Sequence, residues 1–251
     1  VEQSFNVNHD YSLLPLILVK RLNLHLSHRI IIYSRGLIDE WGLKKHIKKI
    51  SLAHEHYIDF KKFSMLTPVD SRDNIVGYVG RFSEEKGILN FIYAIDKILA
   101  KNMDITFYLI GDGHLKDQVQ MLIDTKGINN NIIMSGWVAH DALPQHLNCL
   151  KLLVIPSYTE GLPNVMLESM ACGTPVLATS VGSIPDIIQT AKTGILIPSN
   201  DSDIIAENIL NAITRTDLVS ISNASLDYVF QNYSFENACN TWKVAVDEVK
   251  L

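Results

Sequence analysis

Leu152-Leu-Val-Ile155, Pro156-Ser-Tyr-Thr-Glu160-Gly-Leu-Pro163, Asn164-Val-Met-Leu-Glu168-Ser-Met-Ala-Cys172 and Gly173-Thr-Pro175-Val-Leu-Ala-Thr179 follow one another without a break. The first four residues are all apolar, the pattern of a strand with no solvent face. A loop punctuated by Pro and Gly leads to a helix near Pro163 to Cys172. A second short apolar strand spans Pro175 to Thr179. Strand, loop, helix and strand at this spacing predict a parallel crossover unit.

The same alternation extends in both directions. Upstream, Ile75 to Gly80 is a short apolar run ending in glycine. Ile88, Phe91, Ile92, Ile95, Ile98 and Leu99 then recur at helical spacing. A strand over Ile105 to Ile110 ends in Gly111-Asp112-Gly113, and a helix is predicted over His114 to Lys126. Asn131 to Ser135 is a strand closed by Gly136, with a short helix from Asp141 to Leu150. Downstream come a short helix after Ser183, a strand over Gly194 to Ile197 and an apolar helix over Ile204 to Ile213. Six strands alternating with helices imply an α/β, doubly wound, Rossmann-like parallel sheet. Ligands of such sheets bind beyond the carboxyl ends of the strands. Arg81, Asp112, Trp137 and Glu160 each follow one of the first four strands.

Outside this region the pattern changes. Residues 1–61 show a helical stretch, a strand over Arg29 to Tyr33, a helix around Leu37 to Trp41 and a strand near Lys49 to Leu52. That is too little for a complete sheet and reads as the trailing part of a preceding α/β domain. Residues 62–233 form the main domain. Residues 234–251 form a terminal helix with Phe235, Ala238, Trp242, Ala245 and Val249 on one stripe. The apolar run Leu13 to Val19 is too short to cross a bilayer and reads as a buried helix.

The 251 residues are 47% hydrophobic and 20% charged, with a net charge of -5. This is ordinary globular composition, with no basic run to suggest a nucleic-acid partner. Cys149, Cys172 and Cys239 lack metal-ligand spacing and read as reduced core thiols. Two glycosylation sequons, Asn223-Ala-Ser225 and Asn232-Tyr-Ser234, carry no weight without a secretory signal. The start at Val1, with neither an initiator Met nor a signal sequence, leads to the expectation of a cytoplasmic protein represented by a fragment.

Glu160 and Glu168 lie eight residues apart. Pro163 is suited to the first turn of a helix, so Glu160 belongs to the loop and Glu168 to the helix, roughly 7–8 Å along the axis from Pro163. The free amides of Asn164 and Val165 and the helix dipole favour an anion before the helix. A nucleotide sugar could meet Glu160 with its hydroxyls, the helix end with its phosphates and Glu168 with a second hydroxyl pair. On spacing alone the plainer reading, a capping carboxylate and a solvated glutamate, is favoured. In Gly80-Arg81-Phe82-Ser83-Glu84-Glu85-Lys86-Gly87, Arg81 and Lys86 suit a leaving diphosphate, or equally serve as surface cations paired with Glu84 or Glu85. Gly111-Asp112-Gly113 reads better as a tight turn than as a dinucleotide fingerprint, position 116 being Lys. Asp201-Ser202-Asp203, the one Asp-x-Asp pair, sits in helix-capping position rather than as a metal site. His54-Glu55-His56 reads as interdomain structure.

Taken in order from Gly80 to Gly194, these motifs resemble the retaining, GT-B-fold glycosyltransferases of family four, the glycosyl transferases group 1. The matching residues are Gly80-Arg81-Phe82 with Lys86-Gly87, Gly111-Asp112-Gly113, Gly136 before Trp137, Pro156-Ser157 with Glu160 and Glu168, Ala171 to Val176, Gly182 to Asp186, and Thr193-Gly194. The resemblance implies that Arg81 and Lys86 bind the donor diphosphate, with Gly80 beside them. Glu160 would contact the sugar hydroxyls, backbone from Leu162 through Pro163 and Asn164 to Val165 would hold sugar and phosphate, and Glu168 would bind the ribose. Backbone at Trp137 and Val138 would edge the base. It implies a UDP- or GDP-linked donor, no required cofactor or metal, transfer with retained configuration, and a glycan or lipid-linked acceptor. The terminal helix would cross back to the acceptor domain, and any peripheral membrane contact would come through the part of that domain absent from this chain. Donor binding without turnover is therefore expected of the fragment. Two departures stand out: Gly182-Ser183 and Asp186 replace a Gly-Gly and Pro-Glu pattern, and His54 to Asp59 replace a Pro-Asn-Gly-Val-Asp linker. His9 lies in acceptor-domain sequence without a motif to make it the active-site histidine. A sugar-nucleotide epimerase of the same fold and a non-catalytic nucleotide-binding module are the alternative readings. The Glu160–Glu168 spacing argues against the epimerase.

Overall fold

A computed structural model describes residues 14–101 and 104–249 of the chain, so His9 lies outside the described residues. The chain divides into two compact units: residues 1–55 with 239–251, and residues 56–238. The first boundary falls inside His54-Glu55-His56.

The first unit contains helix α1 (Leu14–Leu26), strand β1 (Ile30–Ile32), helix α2 (Gly36–Glu40) and strand β2 (Ile50–Leu52). The two strands pair in parallel, Ile30 opposite Ile50 and Ile32 opposite Leu52. Ile32, Leu37 and Leu43 form its small core. Near the chain's end, Glu248 accepts hydrogen bonds from Ser51 through its carboxylate and from Arg29 through its carbonyl.

The second unit is built on β3 (Ile75–Val79), α3 (Ile88–Leu99), β4 (Thr106–Ile110), α4 (Lys116–Lys126), β5 (Ile132–Gly136), α5 (Leu143–Cys149), β6 (Leu152–Ile155), α6 (Asn164–Ala171), β7 (Val176–Thr179), α7 (Ile184–Ile187), β8 (Ile195–Ile197), α8 (Ser202–Ile213) and α9 (Leu218–Asn232). Helix α10 (Phe235–Asp247) begins in this unit and ends in the other. The six strands are all parallel, in the order β5-β4-β3-β6-β7-β8. The order reverses between β3 and β6, as in doubly wound dinucleotide-binding sheets. β6 and β7 are buried along their whole length, as their unbroken apolar sequences require. Helix α3 packs on α4 and α8, and α6 on α5 and α9. Right-handed crossovers running in opposite directions from the reversal place these two groups on opposite sheet faces.

The six predicted strands and their helices are present. α9 is an element that the sequence pattern does not announce. Its Ser and Asn residues weaken the helical signal, yet Ser222 and Ser225 are buried because α9 lies close on α6. Ser222 donates to the Gly173 carbonyl at 2.6 Å. The first sequon thus ends in the fully buried Ser225. The expectation of three core thiols is corrected: Cys172 alone is buried, while Cys149 and Cys239 are exposed, both within amphipathic helices. Burial pushes the Cys172 thiol up to about 12. Among the described residues no helix is long and apolar enough to cross a membrane.

Candidate functional site

Where the strand order reverses, the loops after β3 and β6 diverge and leave a cavity of about 210 Å³. Gly80 and Lys86 come from the first loop, Ser157 and Glu160 from the second, and Pro163, Asn164 and Val165 from the start of α6. Close backbone contacts fix these loops. Gly87 has φ +68° and faces the Pro156 carbonyl, where a Cβ would stand 2.0 Å from the oxygen. Gly182, at φ +57°, is pressed equally close to the Glu160 carbonyl. No other residue fits either position. Ser183 occupies ordinary right-handed backbone and donates its amide to the Gly161 carbonyl at 3.0 Å. The departure from Gly-Gly therefore costs no backbone strain, although it buries the Ser183 hydroxyl without a hydrogen-bond partner among the described residues, and this loop holds Glu160-Gly161 from behind.

Glu160 is the centre of the cavity's chemistry. Its side chain is only 7% exposed. Lys86 Nζ donates to both carboxylate oxygens at 2.8 Å, and Ser157 Oγ donates to Oε1 at 2.7 Å. Burying a carboxylate is costly unless hydrogen bonds of this kind replace its lost water. An ammonium carries three protons, so Lys86 keeps one donor beyond this pair. Arg81 is placed differently. Its side chain is 68% exposed and rests 3.8 Å from Glu85, a loose surface pair. Its carbonyl accepts from the Tyr78 hydroxyl at 2.7 Å, and burial raises that phenol's pKa above its usual value.

Helix α6 starts at Asn164, with Pro163 extended (φ -72°, ψ 115°) as the residue before the first turn, one position earlier than a first-turn proline. No side chain caps this end. The Met166 amide bonds back to the Pro163 carbonyl, and the amides of Asn164 and Val165 have no intrahelical acceptor. Glu168 lies one turn beyond Asn164, on the same helix face and about 6 Å along the axis. It is buried to 10% side-chain exposure, and its Oε1 is 2.7 Å from His140 Nε2. His140 lies against the ring of buried Phe63. Beside it Asp141 pairs with Lys62. That hydrogen bond holds the Asp141 carboxyl below its usual range and raises the lysine, to whose charge Asp59 and Glu168 also contribute.

Gly80, Lys86, Glu160, Pro163, Asn164 and Val165 thus meet in one cavity. Arg81, Trp137, Val138, Leu162 and Glu168 lie outside it: Leu162 is buried in the core and Trp137 is 75% exposed. Sequence reasoning missed Ser157 as a carboxylate partner, although it stands three residues before Glu160. It also missed His140, which carried no spacing signal. Asp112 serves the turn after β4: its carboxylate accepts from the Gly113 amide and from Lys116. Asp201 caps α8, its Oδ1 accepting from the amides of Asp203 and Ile204.

An uncapped helix start and a buried carboxylate paired with a lysine meet at the reversal of a doubly wound sheet, the place where ligands of such α/β domains bind. The family model for glycosyl transferases group 1 matches residues 59–222, and the chain belongs to that family. It is 29% identical over 204 residues to an uncharacterized glycosyltransferase, MJ1607, of Methanocaldococcus jannaschii, covering 79% of this chain and 51% of that protein. The chain therefore spans about half the length of that relative. Among solved structures it resembles the C-terminal domain of the group 1 glycosyl transferase LpcC from Francisella tularensis (26% identity, TM-score 0.64, 71% of this chain and 99% of that one). It also resembles Anabaena Alr3699/HepE in complex with UDP (20% identity, TM-score 0.80, 97% and 69%). The second likeness concerns the fold, and both place the six-stranded sheet among GT-B domains.

Proposed function

We propose that residues 56–238 bind a UDP- or GDP-linked sugar, and that the protein transfers this sugar with retained anomeric configuration to a glycan or lipid-linked acceptor. The reading rests on Glu160: a nearly buried carboxylate with Lys86 on both oxygens, beside the open amides of α6. The sugar hydroxyls take the lone pairs of Glu160 that Lys86 and Ser157 leave free. The diphosphate sits against the amides of Asn164 and Val165, receives the third Lys86 proton and draws in Arg81. Backbone at Gly80, Leu162 and Pro163 completes the cradle. The ribose lies one turn along α6 at Glu168, and backbone at Trp137 and Val138 edges the base. As the glycosidic bond breaks, charge grows on the leaving phosphate oxygen, where the Lys86 ammonium and the start of α6 stabilise it and the drawn-in Arg81 adds a second positive charge. No metal is needed in this scheme. HepE, whose structure holds UDP, supports the nucleotide part of the assignment.

Calorimetric titration of the chain with UDP, GDP and their sugars tests the site. Saturable binding that is lost in Glu168→Ala is expected, and absence of binding to any of these by folded protein would sink the reading. Retention is checked separately, by NMR of the product's anomeric proton in the full-length protein.

A further inference from the structure

The hydrogen bond between His140 and Glu168 joins an exposed imidazole to a buried carboxylate. His140 is 61% exposed, on the loop between β5 and α5, far in sequence from the glutamate it contacts. Yet the contact is short, at 2.7 Å, and the imidazole is supported by the ring of Phe63, with centroids 5.1 Å apart. Phe63 is itself only 2% exposed, a fixed backing for the imidazole. The neighbouring Lys62–Asp141 pair ties the same loop to the segment that carries Phe63. The result is a glutamate held by one oxygen, with Oε2 and the second lone pair of Oε1 left over.

We propose that His140 is a positioning residue that makes Glu168 selective for a ribose diol. This rests on the reading of the site given above. A free glutamate side chain has several rotamers, and ordering it on binding weakens affinity. His140 fixes the carboxylate before the ligand arrives, so two vicinal hydroxyls meet an acceptor already in place. A site built in this way rejects an analogue lacking one hydroxyl, because the buried acceptor is then left unpaired. A 2′-deoxyribonucleotide is that analogue.

The affinities of UDP and GDP, and of their 2′-deoxy counterparts, are measured for the whole chain and three variants. For whichever base binds, the wild type is expected to prefer the ribonucleotide by about tenfold or more, the factor of one hydrogen bond to a charged group. Glu168→Ala abolishes the preference. His140→Ala narrows it to about threefold or less through a weaker ribonucleotide, with deoxyribonucleotide affinity unchanged. His140→Gln, whose amide supplies a donor, recovers most of it. Equal losses for both nucleotides in His140→Ala, or no loss for either, overturn the proposal while leaving the donor site intact. Failure of the wild type to bind any of the four overturns the donor site as well.

Discussion

The two ends of α6 are handled in opposite ways. At the N-terminal end the amides face a cavity, with no side-chain cap and Pro163 as the preceding residue. At the C-terminal end the buried Arg72 fills the space. Its guanidinium donates to the carbonyls of Cys172 at 2.7 Å, Leu150 at 2.8 Å and Thr67 at 2.7 Å, and to the Thr174 hydroxyl. A cation there also complements the negative end of the dipole. Burial lowers the Arg72 pKa, and the ring of carbonyls compensates for the lost hydration. Arg72 closes the C-terminal end of this helix at the Cys172 carbonyl, whereas among the described residues no side chain caps the N-terminal end. An unfinished helix end beside a buried ion pair is a stronger sign of a binding site than either feature alone.

Substitutions at the two ends should separate stability from binding. Arg72→Ala has the largest expected effect. It strands several buried carbonyls, so a loss of about 3 kcal/mol, or roughly 6–12 °C in melting temperature, is expected. The ratio of nucleoside diphosphate to nucleoside affinity should not change; a selective loss of diphosphate affinity would break the division between the ends. Lys86→Ala comes next. Diphosphate affinity should fall roughly 30-fold with nucleoside affinity unchanged, and the protein should also lose stability because Glu160 is left buried and unpaired. The double variant Lys86→Ala/Glu160→Ala should regain stability without regaining binding, which a denaturation and titration cycle would show.

Arg81→Ala sharpens the same comparison at an exposed position. It should weaken diphosphate binding by about tenfold yet shift stability by no more than about 0.5 kcal/mol, since its pair with Glu85 is solvated. The smallest effect is expected at a helix start that the protein does cap. Asp201→Ala should cost about 1 kcal/mol in thermal unfolding and leave nucleotide titrations unchanged. A nucleotide effect there would mean that α8 has a role that its cap does not suggest.

Much of this was legible in the sequence because the signals are local. Apolar runs such as Leu152 to Ile155 have one stable environment, between two covered faces, and the helical stripe from Ile88 to Leu99 has one packing direction. Glu160 and Lys86 were legible as types at strand ends, but not as partners, since 74 residues separate them. α9 was hidden because its helix is stabilised by close approach to α6, through serines that carry no amphipathic signal of their own. Arg72 and His140 were isolated side chains in the sequence, without period or motif.

The sequence by itself determined the alternation of strands and helices, the place of Glu160 in the loop and of Glu168 in the helix that follows, and the chemical types placed at the strand ends. Only the tertiary structure decided which of those groups meet. It joined Lys86 and Ser157 to Glu160, set Arg81 out in solvent, closed the far end of α6 with Arg72 and brought His140 to Glu168. Periodicity and turn chemistry act over a few residues and can be read along the chain. Pairing a buried charge requires groups from distant segments, and the sheet order alone brings those segments together.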